Sequence, residues 1–162
     1  MSAALAVLAF LIGAVAGLRS MTAPAFVAWG ARLGRLRLEG TALAWLGSGV
    51  AAWVFLALAL GELAADKLPR TPSRTRPGPF VARIVSGALS GGGLAAGAGG
   101  PLAAGALLGA VGGVAGTLGG YRARTRLGPA LGLPDYAVAL VEDLVTVGGA
   151  VLIVTAARGA AG

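Results

Sequence analysis

Glu62-Leu-Ala-Ala-Asp66-Lys67-Leu-Pro69-Arg70-Thr-Pro72-Ser-Arg74-Thr75-Arg76-Pro77-Gly78-Pro79 is a polar stretch set between two long apolar runs. It carries two of the six acidic residues, the only lysine and four of the eight prolines. Glu62 and Asp66 are four apart and share a helix face. They continue the apolar run Trp53–Leu60, which places them at or just inside the end of a membrane helix. The prolines then stop the helix and hold an extended loop.

The chain has 162 residues, is 57% hydrophobic and only 12% charged, and has a mean hydropathy of +0.85. A soluble domain carries about 25% charged residues. The composition therefore predicts one all-α membrane domain over residues 1–162, with no separate soluble part. Strands are excluded because the apolar runs are continuous and do not alternate. The net charge of +7 sits between apolar runs, where basic loops set topology and meet lipid head groups, so no nucleic-acid partner is implied. Cysteine and histidine are absent, as are Asn and Gln. Disulfides, thiolate chemistry, imidazole bases and the usual transition-metal ligands are thereby excluded, and no metal or cofactor is expected. Leu5–Val15 followed by Ala14-Val-Ala16 has the look of a signal peptide, but no basic residue precedes it, so it reads as a retained first helix.

Five hydrophobic segments are expected: Ala3–Leu18, interrupted at Arg19–Pro24 and resumed to Trp29; Thr41–Ala65; Phe80–Ala98; Pro101–Gly120; and Tyr136–Ala157. Small residues recur at spacing four, as in Gly13/Gly17, Gly87/Gly91 and Gly105/Gly109/Gly113, which allows close helix crossings or a homodimer through the Gly-rich helices. With five spans, the N-terminus shares a side with the 66–79 loop, and the arginine bias makes that side cytoplasmic. The expected location is a bacterial cytoplasmic (inner) membrane.

Gly17-Leu-Arg19-Ser20-Met-Thr22-Ala-Pro24-Ala25 resembles Gly120-Tyr-Arg122-Ala-Arg-Thr125-Arg-Leu-Gly-Pro129-Ala130. The shared frame is Gly-x-Arg-x-x-Thr followed by Pro-Ala. It predicts two inverted two-helix repeats, about 1–66 and 99–158, around a loop and central Gly-rich helix at 67–98. Broken or re-entrant segments are expected at 19–26 and 121–134. Paired interrupted helices of this kind point to a transport site near the midplane.

Arg19 lies between apolar runs, where a charge normally faces a partner or a wet cavity. With Ser20, Thr22 and the backbone N–H groups of a break, it would suit a phosphate or carboxylate. Arg122 and Thr125 take the same role in the second copy, and Lys67, Arg74 and Thr75 in the loop could bind a phosphorylated solute or head group. Glu62, Asp66, Glu142 and Asp143 are the candidates for coupling a cation or pairing with arginines.

The motifs at 17–25 and 65–79, with Val141-Glu142-Asp143, resemble a small bacterial membrane family, domain of unknown function 4126. The resemblance implies a multi-span inner-membrane protein and brings no activity with it.

The expected function is a small inverted-repeat transporter or channel for a small anionic or phosphate-bearing solute or lipid. The rivals are a lipid-modifying enzyme working through the cytoplasmic 66–79 loop and an accessory membrane subunit. Membrane lipids and a small solute or head group are the expected partners.

Overall fold

The computed structural model describes residues 1–65, 76–132 and 135–159, and is all helical there. The helices are α1 Ala3–Leu18, α2 Thr22–Arg32, α3 Gly49–Ala65, α4 Pro77–Gly97, α5 Leu102–Leu131 and α6 Asp135–Ala157, with a 3₁₀ turn at Ala44–Gly47 before α3. Three spans are long and apolar enough to cross a membrane: Pro77–Gly97, Leu102–Arg126 and Ala137–Ala157. The outer faces stay apolar, with Val7, Leu11, Leu107, Val111, Leu144 and Leu152 all exposed. Such a surface suits a lipid surround better than water.

The first segment is two helices. Pro24 explains the break, because a helix carried through it would drive the proline ring into the Ser20 carbonyl and lose a hydrogen bond. The chain instead turns at Arg19, which is extended (φ −140°, ψ 112°), and restarts with Pro24 in the first turn of α2, where no N–H is needed. The Ser20 carbonyl freed by the turn accepts the Ser86 hydroxyl from α4.

The direction of α2 follows from its contacts. Its start lies with Ser20 against Ser86 and Glu62. Its end lies with Gly30 against Val154 and Leu36. Leu36 packs on Gly97, Leu5 on Gly100, and Arg35 bonds to Thr155. So α2 returns to the end from which α1 set out, and α1–α2 is a helical hairpin. Helices α1, α3 and α5 run one way and α2, α4 and α6 the other. Residues near both ends of the chain lie at one end of the bundle, with the 33–48 connector and the 98–101 turn. The chain leaves α3 at Ala65 and re-enters at Arg76 at the opposite end, the hairpin-tip end. Five spans would put the N-terminus on the side of the 66–79 loop; the hairpin instead returns the chain to its starting end, so the N-terminus lies opposite Ala65 and Arg76.

Close packing of α1, α4 and α5 supports the hairpin. On α5, Gly109 meets Gly13 of α1 and Gly87 and Gly91 of α4, and Gly112 and Gly116 lie under the Phe10 and Ala14 carbonyls. A Cβ at any of these positions would overlap backbone, so these glycines allow contact that no other residue permits. The expected Gly-rich central helices are α4 and α5, joined by α1, and their glycine faces close within one chain.

The expected second break is corrected. Helix α5 runs unbroken through 121–131. Thr125 donates back to the Tyr121 carbonyl at 2.9 Å within its own helix, which leaves the ladder intact. Beyond Thr117 the helix leaves the packed core and Tyr121 is exposed, so its arginines mark an exit from the apolar layer rather than a turn.

Candidate functional site

The hairpin tip is where the charges meet. At about 1.5 Å per residue, Arg83 lies about 9 Å inside α4, Asp143 about 12 Å inside α6, and Arg19 about 24 Å from the start of α1. These values put one polar layer off-centre within a hydrocarbon thickness of about 30 Å.

Breaking a helix there strands two sets of backbone groups, the last carbonyls of α1 and the first N–H groups of α2. Each is met by a side chain of the matching charge. Arg83 Nη1 donates to the Gly17 and Leu18 carbonyls, both at 2.6 Å, and so caps the negative end of α1. Glu62 of α3 caps the positive end of α2. Its Oε1 accepts from Ser20 N at 2.9 Å and Ser20 Oγ at 2.8 Å, and its Oε2 accepts from Met21 N at 2.8 Å. The two caps are 3.7 Å apart as an ion pair. Thr117 Oγ1 adds a 3.2 Å bond to the Gly17 carbonyl.

Arg19 is 1% exposed and pairs with Asp143, which ties the turn to α6. Glu142 lies 4.0 Å from Arg124 of α5, and its carbonyl accepts from Thr146 at 2.6 Å. Glu142 and Asp143 thus serve different helices, as their roughly 100° separation requires. Thr22 Oγ1, buried in the first turn of α2, has no hydrogen-bond partner among the described residues.

The structure brings together Arg19, Ser20, Thr22, Glu62 and Asp143, with Glu142 beside Asp143 but turned toward α5. Arg122 and Thr125 are exposed on the continuous α5, and among the described residues no side-chain ion pair or hydrogen bond joins either to this layer. Arg19 is therefore not matched by Arg122 across two equivalent breaks. Asp66, Lys67, Arg74 and Thr75 lie outside the described residues. Sequence reasoning missed Arg83, Ser86 and Thr117 as parts of the site. Arg83 had the needed signal, an arginine seven residues into an apolar span, the same feature that singled out Arg19. No group of three or more His, Cys, Asp or Glu able to hold a metal occurs among the described residues.

The pattern of the domain of unknown function 4126 (DUF4126) matches residues 6–161, nearly the whole chain. The chain belongs to that family. No curated protein and no solved structure matches it.

Proposed function

We propose that this DUF4126 member is a small membrane transport protein for an anionic solute bearing a carboxylate or phosphate, and that the α1–α2 hairpin carries its binding seat. One observation carries the reading: a carboxylate, that of Glu62, takes the Ser20 and Met21 N–H groups that lead into α2, inside a bundle with three helices long and apolar enough to cross a membrane. Half-helix N-termini at a break are where transporters receive anionic groups. Two backbone N–H groups and a hydroxyl would serve a solute carboxylate or phosphate as they serve Glu62. The arrangement is then a closed state in which the protein's own acid holds the solute's place. Arg19 and Arg83 supply positive charge beside the seat, and the Thr22 hydroxyl offers a further donor. When a solute displaces Glu62, that carboxylate needs compensation elsewhere, from Arg83, 3.7 Å away, or from a coupling cation. Glu142 and Asp143 are the further acids available for coupling. Arg76, Arg122, Arg124 and Arg126 lie at the hairpin-tip end and Arg32, Arg35, Arg37 and Arg158 at the other, so the described basic residues outside the polar layer are evenly divided between the two ends.

The test is uptake of phosphate, acetate and short dicarboxylates into proteoliposomes, with and without a pH gradient. At least one anion should accumulate above protein-free vesicles. Glu62→Gln should bind it more tightly, because the internal competitor has lost its charge, and should lose the dependence on the pH gradient. If no anion is transported and none raises the melting temperature of the wild-type protein or of Glu62→Ala, the reading fails.

A further inference from the structure

A second polar site lies at the other end of the bundle, about 15 Å along α2 from the tip. It is a cavity of about 370 Å³ whose polar lining is Arg32, Glu39 and Ser48, with Ala31, Leu38, Ala44 and Gly47 completing the wall. Known small-ligand pockets begin near this size, at about 300 Å³.

The charges are arranged for a ligand that carries both signs. Arg32 ends α2, and its guanidinium lies over Gly49, where a Cβ would come within 2.7 Å of Nη1. Glu39 follows Leu38, which is buried at 2% exposure and anchors that side of the connector. Among the described residues, neither Arg32 nor Glu39 has an ion pair or a side-chain hydrogen bond. Opposite charges lining one cavity without meeting each other leave room for something between them. Ser48 Oγ accepts from Ala51 N at 3.1 Å and keeps its own O–H to donate. Depth points the same way. Trp45 and Trp53, in and just after this connector, are 50% and 60% exposed, as tryptophans at a lipid–water interface are.

We propose that this cavity binds a zwitterionic ammonium–phosphate group, with the phosphate on Arg32 and Ser48 and the ammonium on Glu39. A phosphoethanolamine lipid head group and a free phosphoethanolamine-like solute share this chemistry. The site is independent of the hairpin seat, and either can fail without the other.

The experiment titrates the purified full chain in detergent with dihexanoylphosphatidylethanolamine, dihexanoylphosphatidylglycerol and free phosphoethanolamine, following saturable binding by calorimetry. The ethanolamine lipid should bind, and Glu39→Gln and Arg32→Gln should each weaken it at least tenfold without lowering the melting temperature, since both side chains are exposed and unpaired. Glu39→Gln should leave the glycerol lipid unchanged. Equal binding of free phosphoethanolamine, with the same loss in Glu39→Gln, supports the site and assigns it to a soluble zwitterion. Binding of the lipid alone supports it and assigns it to the bilayer. The glycerol lipid binding as tightly as the ethanolamine lipid, insensitivity to Glu39→Gln, or no saturable binding by either ammonium-bearing probe overturns it.

Discussion

Replacing Glu62 tests what holds the hairpin tip closed. Its Oε1 accepts two hydrogen bonds from Ser20 and its Oε2 one from Met21, and Arg83 stands 3.7 Å away. In Glu62→Gln the amide oxygen can keep the Ser20 bonds, but the amide nitrogen turns an N–H toward the Met21 N–H. One donor is then left unsatisfied in a half-buried, apolar setting, at about 1–3 kcal/mol. The two surviving bonds also lose their charge assistance, falling from about 1.5–3 to about 0.5–1.5 kcal/mol each. Together these effects predict a loss of about 3–6 kcal/mol. Glu62→Ala removes all three acceptor contacts and leaves Arg83 without this carboxylate, so its loss is larger still. Reversible unfolding by sodium dodecyl sulfate in mixed micelles, read by tryptophan fluorescence, measures both. The expected order is wild type, then Gln, then Ala. Both variants lying within about 0.5 kcal/mol of wild type, the usual effect of an uninvolved surface change, would refute the capping role.

The Arg19–Asp143 pair should behave as a buried unit: Arg19→Leu or Asp143→Leu alone should cost about 3–5 kcal/mol in the same unfolding assay, and the double change should recover most of it. Independent, additive losses would show that the two do not interact. The glycines should divide sharply by place. Gly109→Val, Gly112→Val or Gly116→Val should prevent recovery of folded protein, because each Cβ would enter a neighbouring backbone, whereas Gly61→Ala, Gly119→Ala and Gly148→Ala, with nothing within 4 Å, should be neutral or stabilising by up to about 1 kcal/mol in thermal melts.

Much of the fold is readable from composition and punctuation. Three of the five expected apolar segments correspond to single helices; the second holds a 3₁₀ turn before α3, and the first divides at the break that Pro24 enforces. What could not be read was the direction in which the chain leaves that break. Arg19-Ser-Met-Thr22 suits a kink that continues across the membrane as well as a turn that reverses. Contacts of Gly30 with Val154 and Leu36, far away in sequence, decide between them. The repeat misled for a related reason. Arg122, Thr125 and Pro129 copy the residue types of the first break, but Arg122 and Thr125 lie on the part of α5 that has left the core, where arginine can be solvated and nothing forces a turn. At the site, the carboxylates were legible because charged residues inside apolar runs are rare. Their partners were not, since Glu62 reaches back 42 residues to Ser20, and Asp143 meets Arg19 from the far end of the chain.

Helices α1 and α2 form a hairpin whose turn lies at the charged end of the bundle. The natural chain has no cysteine, so single cysteines report sidedness directly. Cysteine introduced at Ser2, Arg35, Arg76 and Gly159 can be challenged with an impermeant maleimide in oriented membrane vesicles and again after permeabilisation. The hairpin predicts that positions 2, 35 and 159 label together on one side and position 76 on the other. Positions 2 and 159 labelling from opposite sides, with 2 and 76 together, is the pattern of five simple spans and would contradict it.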